Sequence, residues 1–368
     1  MHLRHCDTAR DGSAVRRALG ALALILTLSL TGCATSVGYL WKQGGYLLRD
    51  SLGAQDIAVL LKDPHTPPDE RSFLLTVQGI KRFAVDHIGL ADNANFTKFK
   101  KIDRNYLVEV VQASDSLSFT PYQWSYPFLG KLPYRGYYVP ADAKAEAERL
   151  KKMGYDVIVR KVDAFSTLGM LKDPVYSFME RYDLFDLAST IIHEQTHATV
   201  FLKNQDQFNE ELATFVGDTG ALEYLESTYG QESPEYRQAV GEQADNKLFL
   251  QFLKALTNAL KEVYASPLSR EEKLARKREV IADYQAIYRR DYLPRYRTAA
   301  YRASADLPLN NAYLMLFNLY TDQIPLLTRY EKERCAASLR LFVEQVKRLA
   351  KSPGNMIEKI EREMTAKP

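Results

Sequence analysis

Histidine and cysteine are scarce in this chain of 368 residues, which holds six of the first and three of the second. Cys6 and Cys33 fall within the first 33 residues, so Cys335 is the one thiol in the body of the chain. A single thiol excludes an intramolecular disulfide and a zinc ribbon. Net charge is low as well, a formal +3 with 26% charged residues, and gives no electrostatic case for nucleic acid. The 23 tyrosines are scattered at helical spacing rather than clustered with basic residues, so packing accounts for them better than base stacking. After residue 30 no apolar run reaches membrane length, and neither repeats nor low-complexity tracts occur. What remains is ordinary globular composition, 46% apolar, in a chain long enough for one large domain or two modest ones.

The first 33 residues are laid out as an address. Arg16 and Arg17 close a charged stretch, and Ala18 to Leu30 form an apolar run too short to span a bilayer, as in the h-region of a signal peptide. The run ends in Leu30-Thr31-Gly32-Cys33, which resembles the lipobox of bacterial lipoproteins. This resemblance implies removal of residues 1–32 and a lipid on Cys33, an anchor that needs no spanning helix. Position 34 is Ala rather than Asp, which in enterobacterial lipoproteins implies sorting to the outer membrane. The expected location is the periplasmic face of that membrane. Processing removes His2 and His5 and leaves His65, His87, His193 and His197.

Two of these four stand in His193-Glu194-Gln195-Thr196-His197. Residues four apart share a helix face, so both imidazoles can reach one metal ion, with Glu194 beside its open side, where a water needs a base. Leu184, Leu187, Ala188, Ile191 and Ile192 precede the motif and seat its helix in a core. No histidine follows His197, so the third protein ligand is expected to be a carboxylate. A loop over 202–207 turns the chain back, and an antiparallel helix entered near Phe208 regains the level of His197 after about one turn. Spacing alone leaves Glu210 and Glu211 open. The stretch Phe208-Asn-Glu-Glu-Leu-Ala213 matches the Asn-Glu-x-x-Ala pattern that supplies the glutamate ligand in gluzincin metallopeptidases, and the match selects Glu210. Ala213 and Gly217 are small enough to let the two helices approach closely. Two imidazoles and one carboxylate leave the fourth tetrahedral position of a single Zn2+ open, the arrangement of a catalytic site. His87, at the end of an earlier helix, is expected to pack rather than ligate.

The chain resembles the bacterial "putative aminopeptidase" lipoprotein family. The resemblance rests on the two motifs above together with Trp124-x-Tyr-Pro-x-x-Gly130, Pro133-Tyr-Arg-Gly-Tyr137, Ala164-Phe-Ser-Thr-Leu-Gly169 and Asn310-Asn-Ala312, over nearly all of the mature chain. The twelve residues between His197 and Glu210 make a shorter gap than in thermolysin-like enzymes. In gluzincins an edge strand ahead of the motif helix pairs with the substrate backbone. The resemblance puts that strand at Asp163–Met170, with Ser166, Thr167 and Gly169 as substrate-binding residues. It also implies a tyrosine opposite the metal to stabilise an oxyanion, with Tyr296, Tyr301 and Tyr313 unranked. Aminopeptidase action needs a carboxylate for the free α-amino group, supplied by Glu211 or by the Asp163 stretch.

The coarse pattern predicts a predominantly α-helical α+β protein, with a small N-terminal α/β subdomain over 33–181 and a helical domain over 182–368 that opens with the metal-binding helix pair. Helices are predicted over residues 39–57, 70–88, 141–153, 183–201, 208–228, 234–264, 271–292, 310–320 and 332–351, with a capping box at Ser269-x-x-Glu272. Strands are predicted over 106–112, 135–139 and 156–162. The function expected from all of this is zinc-dependent hydrolysis of peptide or protein substrates, with Glu194 as general base. A periplasmic metalloendopeptidase and a non-catalytic envelope scaffold are the alternatives.

Overall fold

Apolar residues at helical spacing decide most of the architecture. The computed structural model describes residues 38, 39, 42, 43, 45, 46, 53–126, 130–162, 174–301, 304, 307–318 and 323–365. Strand β1 (Gln55–Asp56) leads into α1 (Ile57–Lys62), whose N-terminus is capped by the Asp56 carboxylate. Helix α2 (Pro68–Phe83) starts on Pro68, whose missing N–H costs nothing at a first turn, with Asp69 and Glu70 at the positive end of the dipole. Its stripe of Leu74, Val77 and Ile80 is fully buried and continues through a π-turn (Ala84–Ile88).

Next come β2 (Lys98–Lys100), β3 (Val108–Ser114), β4 (Trp124–Tyr126), β5 (Gly130–Leu132), β6 (Tyr134–Tyr137), α3 (Pro140–Lys152), β7 (Asp156–Val162) and β8 (Val175–Tyr176). Strand β3 lies between β6 and β7 in an antiparallel sheet, with Val110 opposite both Gly136 and Arg160. A second small sheet runs β1-β2-β8, and β4 and β5 form a hairpin. Helices α4 (Leu184–Thr199), α5 (Asp206–Tyr229), α6 (Pro234–Ala265), α7 (Arg270–Ile287), α8 (Asn311–Asn318), α9 (Ile324–Arg334), α10 (Leu339–Ala350) and α11 (Met356–Thr365) follow. The protein is thus predominantly helical α+β.

The main hydrophobic cluster draws on both ends of the chain, joining Val77 and Ile80 of α2, Ile191 and Ile192 of α4 and Val216 of α5 to Leu327, Phe342 and Ile360. A second, aromatic-rich cluster fills the α6–α7 hairpin with Phe249, Phe252 and Tyr288, and a third lies under the β6-β3-β7 sheet. Among the described residues no helix is long and apolar enough to cross a membrane.

The structure departs from the sequence expectation in several places, the unpredicted strands β1, β2, β4, β5 and β8 and most of helix α9 among them. Gln55 and Asp56, inside the helix predicted over 39–57, pair with β2 instead, and Ile57 opens a new helix. The helix predicted over 332–351 is broken, because Ala336 and Ala337 both take φ of 53° and Ser338 caps α10. The break folds α10 back so that Leu327 and Tyr330 on one side of it and Phe342 and Val346 on the other enter one core, which overrides alanine's helix preference. Helix α11 is absent from the predicted set.

One buried polar clasp joins the sheet to the helical hairpin. Lys277 of α7 ion-pairs with Asp156 of β7 and donates to the Ser116 carbonyl at 2.8 Å. Asp156 also accepts from the Asn311 backbone N–H at 2.7 Å, and Asn311 donates to the carbonyls of Asp115 and Ser118. Truncating one member strands the other charge in the interior. Lys277→Ala is expected to lower unfolding free energy by about 3 kcal/mol in urea titration, and the paired change Lys277→Met with Asp156→Asn by clearly less.

Candidate metal centre

Asp183 caps α4 by accepting from the Asp186 N–H at 2.8 Å. Leu187, Ala188, Ile191 and Ile192 then bury one side of the helix. That leaves Asp186, Ser189, Thr190, His193, Glu194 and His197 for the other side, about one turn apart in rows. The connection to α5 is held by Asn209, which donates to the Leu202 carbonyl at 2.8 Å and accepts from the Leu202 N–H at 2.9 Å. This reciprocal pair fixes where α5 starts and therefore where Glu210 points. Helices α4 and α5 also pack very closely. A Cβ added to Gly217 would lie 2.9 Å from the Ser189 carbonyl oxygen and 3.2 Å from His193 Cβ. Ser189 Oγ donates across the helix pair to Asp218 Oδ1 at 2.8 Å.

The result is a converging donor set. His193 Nε2 and His197 Nε2 are 3.1 Å apart, His193 Nε2 is 3.7 Å from Glu210 Oε2, and His197 Nε2 is 3.4 Å from Glu210 Oε1. The three residues form a cluster able to hold a metal ion. Tetrahedral ligands at zinc-like bond lengths are separated by about 3.3 Å, so these spacings suit one small ion. Burial, and then the neighbouring His197, push the His193 imidazole down to about 3, and burial pushes His197 down to about 4. Both rings are therefore neutral near pH 7, with lone pairs available. The Glu210 carboxyl is pushed up by burial and by Asp206, against the pull of Arg160. His197 Nδ1 is buried with no hydrogen-bond partner among the described residues, so packing and the contacts of Nε2 orient the ring.

A cavity of about 780 Å³ opens beside this set, with His193 and Glu194 in its wall. Asp183, Asp186, Asp218 and Glu242 line it too, and no lysine or arginine is among its described lining residues. Burial first, then Asp183, Glu242 and Asp218, push the Asp186 carboxyl up to about 6. Tyr301 faces the same cavity, and burial together with Glu242 and Asp186 pushes its phenol up, which keeps it a hydrogen-bond donor. Its segment is pinned by Asp245, which accepts from the backbone N–H groups of Arg297 and Thr298 at 2.8 Å and from Thr298 Oγ1 at 2.7 Å.

Two expected substrate residues lie elsewhere. Glu211 is fully buried, and its carboxylate accepts from Gln207 Nε2 and from the Gln323 N–H, so it is closed to a substrate amine. Adjacent residues on a helix point about 100° apart, which sends Glu210 to the cluster and Glu211 into the contact with the start of α9. Tyr313 packs on Phe317 in the second hydrophobic cluster and is not among the lining residues of the cavity. Tyr296 is core, packed against Tyr288 and Tyr301, so Tyr301 alone of the three tyrosines reaches the cavity wall. Ser166, Thr167 and Gly169, with the rest of the 163–170 stretch, lie outside the described residues, as does Cys33. His87 stacks on Phe83 and sits 3.4 Å from Glu223, a packing role as expected.

Sequence reasoning missed Asp186, Asp218, Glu242 and Tyr134. Asp186 could have been found at one helical repeat of seven before His193, and Asp218 at eight after Glu210. Tyr134 of β6 and Arg160 of β7 flank Glu210 electrostatically, since burial and then the Glu210 charge push the Tyr134 phenol up. No local signal announces that pairing.

The sequence family described as "Putative aminopeptidase" matches residues 38–360. The chain belongs to this family. Its match covers every element from β1 to α10, the donor cluster and the cavity wall included. No curated protein and no solved structure matches the chain.

The helix approach is the testable part of this geometry. Gly217→Val is expected to weaken zinc binding at least tenfold in competition with a chromogenic chelator and to cost about 1–3 kcal/mol of stability. Gly217→Ala should shift both in the same direction by less.

Proposed function

We propose that the protein is a zinc-dependent aminopeptidase, with His193, His197 and Glu210 holding one Zn2+ per chain and Glu194 as general base. The observation that carries this reading is the convergence of His193, His197 and Glu210, with Glu194 in the wall of the adjoining cavity. The neutral imidazoles and the donor spacing fit the ion. Bound zinc supplies Lewis acidity, lowering the pKa of water toward about 7 and polarising a peptide carbonyl. Glu194 takes the proton of the attacking water and delivers it to the leaving amine. Tyr301, protonated and on the same wall, is the hydroxyl that can donate to the developing oxyanion.

The acidic lining supports exopeptidase over internal cleavage. A free α-ammonium group needs a carboxylate, and Asp186 and Glu242 offer one inside the cavity where Glu211 cannot. The lipobox-like stretch supports the remaining part of the reading, a lipid on Cys33 that holds the enzyme on the periplasmic face of the outer membrane.

Glu194→Gln is expected to bind zinc in full while losing at least 100-fold in kcat on aminoacyl and quenched peptides, whereas His193→Ala and Glu210→Ala lose the zinc itself. Zinc content by atomic emission and initial rates check both. Unchanged hydrolysis in Glu194→Gln sinks the assignment, and cleavage of N-acetylated peptides as fast as free ones sinks the aminopeptidase part.

The Asp186 carboxyl, raised to about 6, is charged above that pH and neutral below it. KM for an aminoacyl substrate should therefore rise as pH falls through 6. Asp186→Asn should raise KM at pH 7.5 by about tenfold and flatten that limb of the profile, the scale of one charge-assisted hydrogen bond.

A further inference from the structure

The residues just after Cys33 make contacts that the enzymatic reading does not use. Tyr39 donates its hydroxyl to the Gly136 carbonyl of β6 at 2.6 Å, and its ring lies 5.7 Å from that of Tyr126 and 5.6 Å from that of Tyr137. The Arg135 guanidinium lies over the Tyr39 ring, 4.0 Å from its centroid. Lys42 pairs with Asp142 at 2.5 Å, Gln43 accepts from the Tyr138 N–H at 3.0 Å, and Tyr46 stacks on Tyr138 at 5.3 Å. Positions 39, 42, 43 and 46 form one stripe of a helix, and the described residues of this stretch are helical.

We infer that Gly38, Tyr39, Lys42, Gln43, Gly45 and Tyr46 belong to a docked strap that holds the β6 edge and the start of α3 against the headgroup surface of the membrane carrying the lipid on Cys33. The inference rests on the lipid-anchor reading and adds an orientation to it. Tyr39 follows Cys33 by six residues, a stretch that reaches at most about 20 Å however it is arranged. Without the strap, the next described strand begins at Gln55, 22 residues from Cys33, a length of chain that reaches roughly 75 Å at most. Docking therefore converts a long leash into a short one attached at a defined place.

That place is close to the donor cluster. Gly136, which receives the Tyr39 hydroxyl, is two residues from Tyr134 on the same strand, about 7 Å along it. Tyr134 in turn is within electrostatic reach of Glu210. Tether, strand step and side chains together keep the cluster within roughly 40 Å of the bilayer. Peptides are then drawn from the layer directly above that membrane.

Two insertions of one linker test the strap. The full-length acylated protein is reconstituted in phosphatidylethanolamine–phosphatidylglycerol vesicles containing a headgroup-nitroxide lipid. A fluorophore is placed on Ala141→Cys, an exposed site beside Asp142, while buried Cys335 stays unlabelled. A Gly-Ser linker of about twelve residues, roughly 20 Å in r.m.s. reach, is inserted either between Ser36 and Val37 or between Asp50 and Ser51. The first insertion should lower quenching several-fold, and the second should leave it at the wild-type level. In the Tyr39→Ala, Lys42→Ala double variant the two insertions should become equivalent. Equal effects of the two insertions in the otherwise native chain, or no quenching of the acylated protein, overturn the strap. Absence of an acyl mass on Cys33 overturns the anchor reading and the strap with it.

Discussion

The close contact between α4 and α5 is the constraint on which the donor cluster depends. Helices with ordinary side chains at their interface lie about 8–10 Å apart, and small residues at the contact let a pair approach more closely. Gly217 removes the obstacle opposite Ser189 and His193, and Gly220 does the same opposite Ile88 and Ile192. The Ser189–Asp218 hydrogen bond then fixes the rotation of one helix against the other, and the Asn209–Leu202 pair fixes the register in which α5 begins. None of these residues is a metal donor. Together they set the 3.1–3.7 Å separations among His193, His197 and Glu210.

Burial gives those donors their chemical state. The helix pair is pressed into the main core by Ile191, Ile192, Leu212 and Val216, and the low polarisability of that surrounding keeps both imidazoles neutral. Burial likewise raises the carboxyls of Asp186, Asp218 and Glu242 in the cavity wall. A site assembled on two packed helices is stiffer than one on loops. A wall contributed by irregular chain, around Tyr301, is held by three hydrogen bonds to the buried carboxylate of Asp245.

The helices most legible in the sequence are those whose burial pattern is local. For α2, α4 and α6, periodicity and caps locate the elements to within a few residues, because each helix buries an apolar stripe. The break at Ala336–Ala337 and the pairing of Gln55–Asp56 with β2 were not legible. Both are decided by where the chain must turn to share a core, against the preference of the residues themselves.

For the site, the sequence by itself put two imidazoles on one helix face with the Glu194 carboxylate next to them, and left no histidine after His197. It also put a glutamate at the distance an antiparallel helix could return. Spacing could not separate Glu210 from Glu211, nor one tyrosine from another, because those choices depend on which way neighbouring residues point once two helices are packed. Tertiary structure separates their surroundings. It turned Glu211 into the contact with Gln323, sent Tyr313 into the aromatic cluster and brought Tyr301 to the cavity. It also lined that cavity with Asp186, Asp218 and Glu242 from three helices, a charge pattern that no single stretch of sequence contains.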